Sequence, residues 1–280
     1  DDASNDGTKE IILEYQKIYP QLFNNILHKE NQWSQGKSVM TPLFENPVGK
    51  YIALTHGDDY WTDPLKLQKQ VDFLEENPEY VVSFHDYIQI NGKNNMIAES
   101  AFDFNKSLQR DFEKEELMQT DAYLPTLTMC FRNIFIANRI KYPQNVPNGD
   151  IAIMSLLGEF GKAKFQPEIS KGVYRIHNGG VYSGLNESEK LLHRQKTMRL
   201  LIKYHNKKSL SIQDELINKS ANISKQTFYL ATKHRDKKNI LKAGLNYLFY
   251  GKSYIDAKER INVVKSIFSV KLKRNFFQPN

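Results

Sequence analysis

An acidic cluster with one histidine follows a short apolar stretch of the chain. Residues 51–54 are apolar, as expected of a strand buried on both faces, and His56, Asp58 and Asp59 come directly after them. Ligands of open α/β sheets bind at the ends of such strands. Two carboxylates and an imidazole suit Mg²⁺ or Mn²⁺ carrying a phosphorylated substrate. The two aspartates are equally typical of a simple turn, because Asp63 can cap the helix that follows.

Asp150 stands at the start of a second predicted helix. Ile151, Met154 and Leu157 recur at helical spacing behind it, and Gly161 closes the pattern. By residue type alone, Asp150 is a helix cap or a partner of the helix dipole.

Composition narrows the class of protein. The chain has 280 residues, of which 40% are hydrophobic and 25% charged, so we expect one large domain with or without an appendage. A single cysteine excludes an internal disulfide framework and fits a cytoplasmic location. The net charge of +7 permits an acidic partner, but no recognisable nucleic-acid-binding module is present, and we expect no nucleic-acid partner.

The order of predicted elements indicates an α/β fold. Strands are predicted at residues 51–54, 80–84 and 126–132, and a helix from Pro64 should bury Leu67, Val71 and Leu74. Residues 91–95 should form a hairpin turn, and residues 98–123 a polar surface insertion near an acceptor site, with a helix around 113–118. Beyond residue 185 only helices are predicted, and the last, within 258–277, is basic and amphipathic.

Four blocks, in order, resemble the motifs of family 2 glycosyltransferases with the GT-A fold. Residues 1–8 match Asp-Asp-x-Ser-x-Asp-x-Thr, and residues 30–38 resemble Glu-Asn-Gln-Tyr-Ser-x-Gly-x-Ser. Residues 51–74 resemble the metal-binding segment, usually written Asp-x-Asp, and residues 173–183 resemble Tyr-Arg-x-His-x-Gly-Gly-x-x-Ser. The resemblance implies a GT-A-type mixed sheet flanked by helices over residues 1–185, with its first strand missing from an apparently truncated sequence. A helical C-terminal extension over residues 186–280 would follow.

The resemblance also implies a donor site for a nucleoside-diphosphate sugar, with a lean towards uridine. Asp2, with Asp1, would touch the base and ribose. Lys37 would meet a phosphate, although a lysine in a polar loop is more often a solvated charge. Arg175 would serve as a phosphate ligand or as a structural charge.

The implied cofactor is Mn²⁺ or Mg²⁺ held at Asp58 and His177. His56 stands where relatives have Asp or Glu. A neutral imidazole can still ligate Mn²⁺ or accept a hydrogen bond from ribose, but it brings no charge, so we expect weakened metal binding.

The resemblance implies an inverting hexosyltransferase, which moves a sugar to a hydroxyl of a glycan or lipid-linked glycan acceptor. Asp150 would be its general base. The alternative is a catalytically impaired GT-A-fold protein that binds nucleotide sugars or glycans. The basic C-terminal helix would either contact the inner membrane surface or pack on its neighbours.

Overall fold

The computed structural model describes residues 1–45, 47–135, 140–177, 184–206, 209–234, 236–251 and 255–275. The chain divides into two compact units, which are treated separately below. One unit comprises residues 1–48 and 135–146, and the other comprises residues 49–134 and 147–280.

The first unit is mostly helical and irregular. Its regular elements are α1 (Thr8–Ile18), α2 (Thr41–Glu45) and two 3-10 turns, Pro20–Leu22 and Trp33–Gln35. The amide of Thr8 donates to the Asp6 carboxylate over 3.1 Å, the local bond expected where an aspartate precedes a helix. A small aromatic core forms where the ring of Phe44 packs on Phe135 and Tyr142, with centroids 4.7 and 4.9 Å apart.

The second unit contains two mixed sheets, as predicted for the α/β class. Their strands are β1 (Tyr51–Ala53), β2 (Tyr80–Phe84), β3 (Tyr87–Asn91), β4 (Met96–Ala98), β5 (Cys130–Arg132), β6 (Lys162–Phe165) and β7 (Gly172–Ile176). One sheet has the order β1-β5-β2-β6, with β6 parallel to β2 and the other pairs antiparallel. The other sheet has the order β4-β3-β7, with β3 and β7 parallel.

The second unit also contains seven helices in its described residues, and the last four follow the final strand in the chain. They are α3 (Lys66–Glu76), α4 (Lys114–Met118), α5 (Gly149–Leu157), α6 (Glu187–His205), α7 (Leu210–Lys233), α8 (Lys237–Tyr250) and α9 (Ala257–Asn275). The last four confirm the predicted C-terminal helical region. Phe228 of α7, Ala243 and Tyr247 of α8 and Ile267 of α9 share one apolar core. None of the helices in the described part of the chain is both long and apolar enough to cross a membrane.

The prediction for residues 98–123 was partly wrong. The helix is present as α4, but the segment is not a polar surface insertion, because Phe102 and Phe112 are buried. The backbone of Phe112 pairs with Ala163 through two hydrogen bonds of 3.0 and 2.9 Å. The ring of Phe102 lies 6.4 Å from Phe84 and 5.7 Å from Phe165. Its few aromatic residues, and not its many charges, decide how this segment packs.

Residues 126–132 were predicted as one strand, but Thr126–Thr128 is a 3-10 turn and only Cys130–Arg132 is a strand. The amide and hydroxyl groups of Thr128 both donate to the carbonyl of Pro125, over 2.9 and 2.8 Å. This local bonding satisfies a buried threonine without a neighbouring strand.

The predicted buried stripe of α3 was also partly wrong. Leu74 is buried, but Leu67 is 42% exposed, and Lys66 and Gln70 occupy the buried face instead. The side-chain amide of Gln70 donates to the carbonyls of Ser83 and Thr128 over 3.0 and 2.9 Å, and its oxygen accepts from Lys66 over 2.7 Å. A glutamine is favoured here because it satisfies buried backbone groups that a leucine would leave unpaired.

Two neighbouring phenylalanines distinguish a core segment from a surface insertion. Phe102 is fully buried, whereas Phe104 is 69% exposed. We expect Phe102→Ala to lower the free energy of unfolding by about 3–5 kcal/mol, because it removes a buried ring and leaves a cavity. Phe104→Ala should cost about 1 kcal/mol at most. Urea denaturation of the two variants measures both values, and equal losses would contradict the assignment of residues 98–123 to the core.

Candidate active site

The loop after β1 is fastened to β7 by two backbone hydrogen bonds. The amide of Tyr60 donates to the carbonyl of Val173 over 3.2 Å, and the amide of Val173 donates back to Tyr60 over 2.9 Å. This antiparallel pair brings the acidic cluster of the loop beside the last residues of β7. Two blocks that the sequence analysis treated separately therefore form one site.

Asp59 is the buried anchor of this loop. One of its carboxylate oxygens accepts from the amide of Arg175 over 2.9 Å, and the other lies 3.4 Å from Nδ1 of His56. The facing carboxylate of Asp59 is the largest effect on the pKa of the His56 imidazole and raises it. Because a carboxylate faces it, His56 holds its proton to a higher pH than a free histidine does.

Asp58 points to the partner that the sequence suggested. Its Oδ2 lies 2.9 Å from Nε2 of His177, and both side chains are partly exposed. The pair therefore offers a carboxylate and an imidazole side by side at the surface of the site. The rest of the predicted block, residues 178–183, lies outside the described residues.

The donor set at this point fits a metal that shares its coordination with a substrate. Among the described residues there is no group of three or more His, Cys, Asp or Glu able to hold a metal ion by itself. Mg²⁺ is commonly bound through one or two carboxylates and completes its octahedron with substrate phosphates and water. Asp58 could supply a carboxylate and His177 an imidazole nitrogen to such an ion, whereas His56 faces Asp59.

The guanidinium of Arg175 holds the site loop in place. Its Nε donates to the backbone oxygen of Asp58 over 3.2 Å, and its Nη1 donates to the side-chain oxygen of Asn94 over 2.6 Å. These bonds place Arg175 beside the candidate metal ligands. They also occupy two of its nitrogen atoms with contacts inside the protein.

Asp150 is the second residue of α5 and is exposed to solvent. Surrounding protein nevertheless desolvates its carboxyl and raises its pKa, while Arg194 and His56 pull the pKa in the opposite direction. Burial raises the pKa values of Tyr123 and Tyr174, and the charge of Asp150 adds to the rise of both. Asp150 therefore combines an exposed position with a raised carboxyl pKa.

The start of α5 is held by the helical extension. The amide of Asn148 donates to Oγ1 of Thr197 over 3.2 Å, and the Thr197 hydroxyl lies 3.3 Å from the side-chain oxygen of Asn148. Thr197 belongs to α6, so a helix outside the resemblance positions the residue two places before Asp150.

The remaining predicted donor-site residues belong to the first unit. Asp2 accepts from the amides of Gln32 and Trp33 over 2.7 and 3.0 Å, so the first two sequence blocks meet through this carboxylate. The carboxylate of Asp1 accepts from the amide and hydroxyl groups of Ser4. Lys37 is exposed in the loop after the 3-10 turn.

Two residues near the site were missed by sequence reasoning. Arg194 lies in a helix with no recognisable motif, and Tyr174 occupies a strand position with ordinary alternation. The only sequence signal for either was proximity in the chain, since Tyr174 precedes Arg175 in the fourth block. Long-range packing brings Arg194 to Asp150, and spacing along the chain cannot reveal it.

Comparison with known proteins gives one family and several relatives. Residues 1–137 match the family model described as Glycosyl transferase family 2. A protein of Bacillus subtilis with the provisional name teichuronic acid biosynthesis glycosyltransferase TuaG is 25% identical over 186 residues, covering 65% of this chain and 68% of that protein.

Stronger but shorter similarity is found in mycobacteria. Uncharacterized proteins of Mycobacterium tuberculosis and Mycobacterium bovis are each 51% identical over 87 residues, which is 30% of this chain. The match spans 24% of the length of each of these relatives.

Proposed function

Because this chain belongs to glycosyl transferase family 2 through its residues 1–137, we propose that it transfers a sugar from a nucleoside-diphosphate sugar to a hydroxyl of a glycan or lipid-linked glycan. The observation that carries the proposal is the 2.9 Å contact between Asp58 and His177, which joins two of the resembling segments, while the charge of Asp150 acts on His56 of the same loop. A base and a place for a diphosphate are the two parts that such a transfer needs. Glycosyl transfer is also in the name of the Bacillus subtilis relative.

Asp150 acts as the general base in this proposal. Its carboxylate takes the proton of the acceptor hydroxyl while the acceptor oxygen bonds to the anomeric carbon. The bond from that carbon to the diphosphate breaks on the opposite side, and the electron pair leaves with the diphosphate. Attack and departure on opposite faces invert the anomeric configuration.

The leaving diphosphate is placed at Asp58 and His177. A divalent cation, when bound, neutralises the charge that develops on the leaving group. Asp58 and His177 would hold it, Arg175 would fix their loop, and the side chain of His56 lies in the same loop. His56 as a direct metal ligand stays a prediction.

Three of the residues proposed to bind the nucleotide belong to the first unit. Asp2, Asp1 and Lys37 keep their proposed contacts to the base, ribose and phosphate, with uridine as the favoured base. The carboxylate of Asp2 already orders the turn at Trp33–Gln35, so a loss of donor affinity in an Asp2 variant would include a loss of local structure. The proposed boundary between a catalytic domain and an extension stays at residue 185.

Replacing Asp150 tests the base. We expect Asp150→Asn to lower transfer by about 10²–10⁴-fold with donor affinity unchanged, because the amide cannot accept the proton. In the parent protein, transfer should fall as the pH drops through the raised pKa of Asp150, so this acid limb should lie above the ordinary aspartate value. Asp150→Asn should lack that limb. Release of nucleoside diphosphate, measured across pH, checks both statements.

The matched control is Asp72→Asn, which changes an exposed carboxyl group on α3 that accepts from Gln68. It should retain the parent rate and the parent pH profile. Parent-like turnover by Asp150→Asn would refute the base assignment. Donor binding without transfer in the parent protein itself would favour the nucleotide-sugar-binding alternative.

Calorimetry with UDP tests the metal. Mn²⁺ should increase the affinity of the parent protein for UDP. In the presence of Mn²⁺, Asp58→Asn should bind UDP about 10–100-fold more weakly than the parent, because a charged ligand is lost. With EDTA present, the parent and Asp58→Asn should bind UDP equally well. If neither Mn²⁺ nor the Asp58→Asn substitution changed the affinity for UDP, the proposed metal site would be contradicted.

We also propose that α9 rests on an anionic membrane surface on the cytoplasmic side. Ile261, Val264 and Phe268 are exposed at helical spacing, and Lys258 and Lys265 lie in the same helix. The basic residues predicted for the end of this helix lie where side chains are outside the described part of the structure.

Sedimentation with lipid vesicles tests the membrane contact. The parent protein should pellet with phosphatidylcholine vesicles only when they contain phosphatidylserine, and salt should weaken this association. Phe268→Ser should lower it by about tenfold or more, since a phenylalanine no longer enters the interface. Phe104→Ser alters an exposed phenylalanine outside α9 and is the control. Equal pelleting with neutral vesicles, or no loss in Phe268→Ser, would argue against the contact.

A further inference from the structure

Arg194 is an exposed arginine on α6 beside the proposed catalytic base. Among the residues that the structure describes, no hydrogen bond or salt bridge engages its guanidinium group. An arginine presents five N–H donors in a planar fork that matches carboxylate and phosphate groups. Exposed arginines are common, so the case for a ligand depends on where this one lies.

A hydrogen bond fixes Arg194 close to the start of α5. Thr197 lies one helical turn after Arg194, and its hydroxyl accepts from the amide of Asn148 over 3.2 Å. Asn148 is the residue before α5, and Asp150 follows two positions later. The contact thus ties one side of Asp150 to the turn of α6 that carries Arg194.

Apolar packing fixes the other side of Asp150. Ile151 packs against the cluster that contains Met198, and Leu191 packs against the same cluster. Leu191, Arg194 and Met198 follow one another at helical spacing, so they lie along one face of α6. Asn148 therefore contacts α6 at Thr197, and Ile151 packs on the cluster that Met198 of α6 shares.

The two charged groups act on each other without joining. Arg194 lowers the pKa of Asp150, although desolvation of the carboxyl by the surrounding protein has the larger, opposite effect. No salt bridge links them, so the guanidinium donors stay available beside the carboxylate. An anion placed next to Asp150 would be repelled by its charge unless a cation compensates, and Arg194 is positioned to do so.

We infer that Arg194 binds an anionic group, a carboxylate or a phosphate, on the acceptor whose hydroxyl group Asp150 deprotonates. The inference rests on the proposed function. The diphosphate of the donor is assigned to Asp58 and His177, while Arg194 comes from the helical extension next to the base. The acceptor is therefore acidic, either a sugar acid or a sugar phosphate.

Inhibition of donor hydrolysis tests the inference without knowledge of the natural acceptor. In the absence of acceptor, water replaces the hydroxyl and the enzyme slowly releases UDP from a UDP-sugar. Three probes are added separately: methyl glucuronide, glucose 1-phosphate and methyl glucoside. The two anionic probes should inhibit the parent protein without competing with the donor, and the neutral methyl glucoside should not. Inhibition by only one anion identifies the carboxylate or the phosphate as the recognised group.

Variants of α6 assign the effect to Arg194. Arg194→Gln should raise the inhibition constant of the anionic probe about 10–100-fold, the value of a charged hydrogen bond. Arg194→Lys should recover part of the loss, because it restores the charge without the fork. Lys196→Gln removes one exposed positive charge from the same helix and should leave the constant unchanged.

The outcomes separate the inference from the function on which it rests. If the parent protein hydrolyses none of the nucleoside-diphosphate sugars, the proposed function is contradicted. Hydrolysis that neither anionic probe inhibits would overturn the inference alone. Equal inhibition of the parent and Arg194→Gln would overturn it as well, as would inhibition that competes with the donor. If Lys196→Gln weakened inhibition by the anionic probe as much as Arg194→Gln does, the effect would come from the overall charge of α6, and the inference would also be overturned.

Discussion

Two backbone hydrogen bonds between Tyr60 and Val173 hold the candidate site together. Backbone pairing fixes both position and register, so it aligns the residues on either side of each partner. On the loop, these are Asp58 and Asp59, and on β7 the next residues include Arg175. The buried carboxylate of Asp59 then accepts from the amide of Arg175 and prevents the loop from shifting along the strand. The geometry of the site thus depends on the main chain more than on its exposed charges.

A buried polar network also holds the loop that follows β1. Lys66 is almost fully buried, donates to Gln70, and lies 4.2 Å from the ring of Trp61. Burial lowers the pKa of Lys66 to about 8, so the ammonium is still charged at neutral pH. The indole of Trp61 donates to the carbonyl of Leu127 over 2.7 Å. The loop is therefore held at its far end by groups whose burial costs free energy unless every partner is present.

The sequence was informative where one residue type serves one local purpose. The strand at residues 80–84, the turn at residues 91–95 and the start of α5 near Asp150 were predicted from short-range patterns and are present. Prediction failed where a distant partner decides the outcome. Gln70 is buried because carbonyls far along the chain need donors, and residues 98–123 pack through a few rings.

The same contrast applies to the candidate site. The strand-end position of Asp58 could be predicted, because strand ends are where α/β sheets bind ligands. The pairing of His56 with Asp59 could not, since the tandem aspartates look alike in sequence and differ only in burial. Arg194 could not be predicted either, because helix packing alone brings it to Asp150.

The bond between Asn148 and Thr197 has a consequence for the order of synthesis. Its partners are 49 residues apart, and the acceptor is on the later helix. A ribosome makes α5 well before α6, so the start of α5 must wait for the hydroxyl that holds it. During that interval a nascent chain already carries Asp58 and Asp150 but lacks the helix that holds the start of α5. A chain interrupted before α6 would therefore lack the Thr197 hydroxyl that holds the residue before α5.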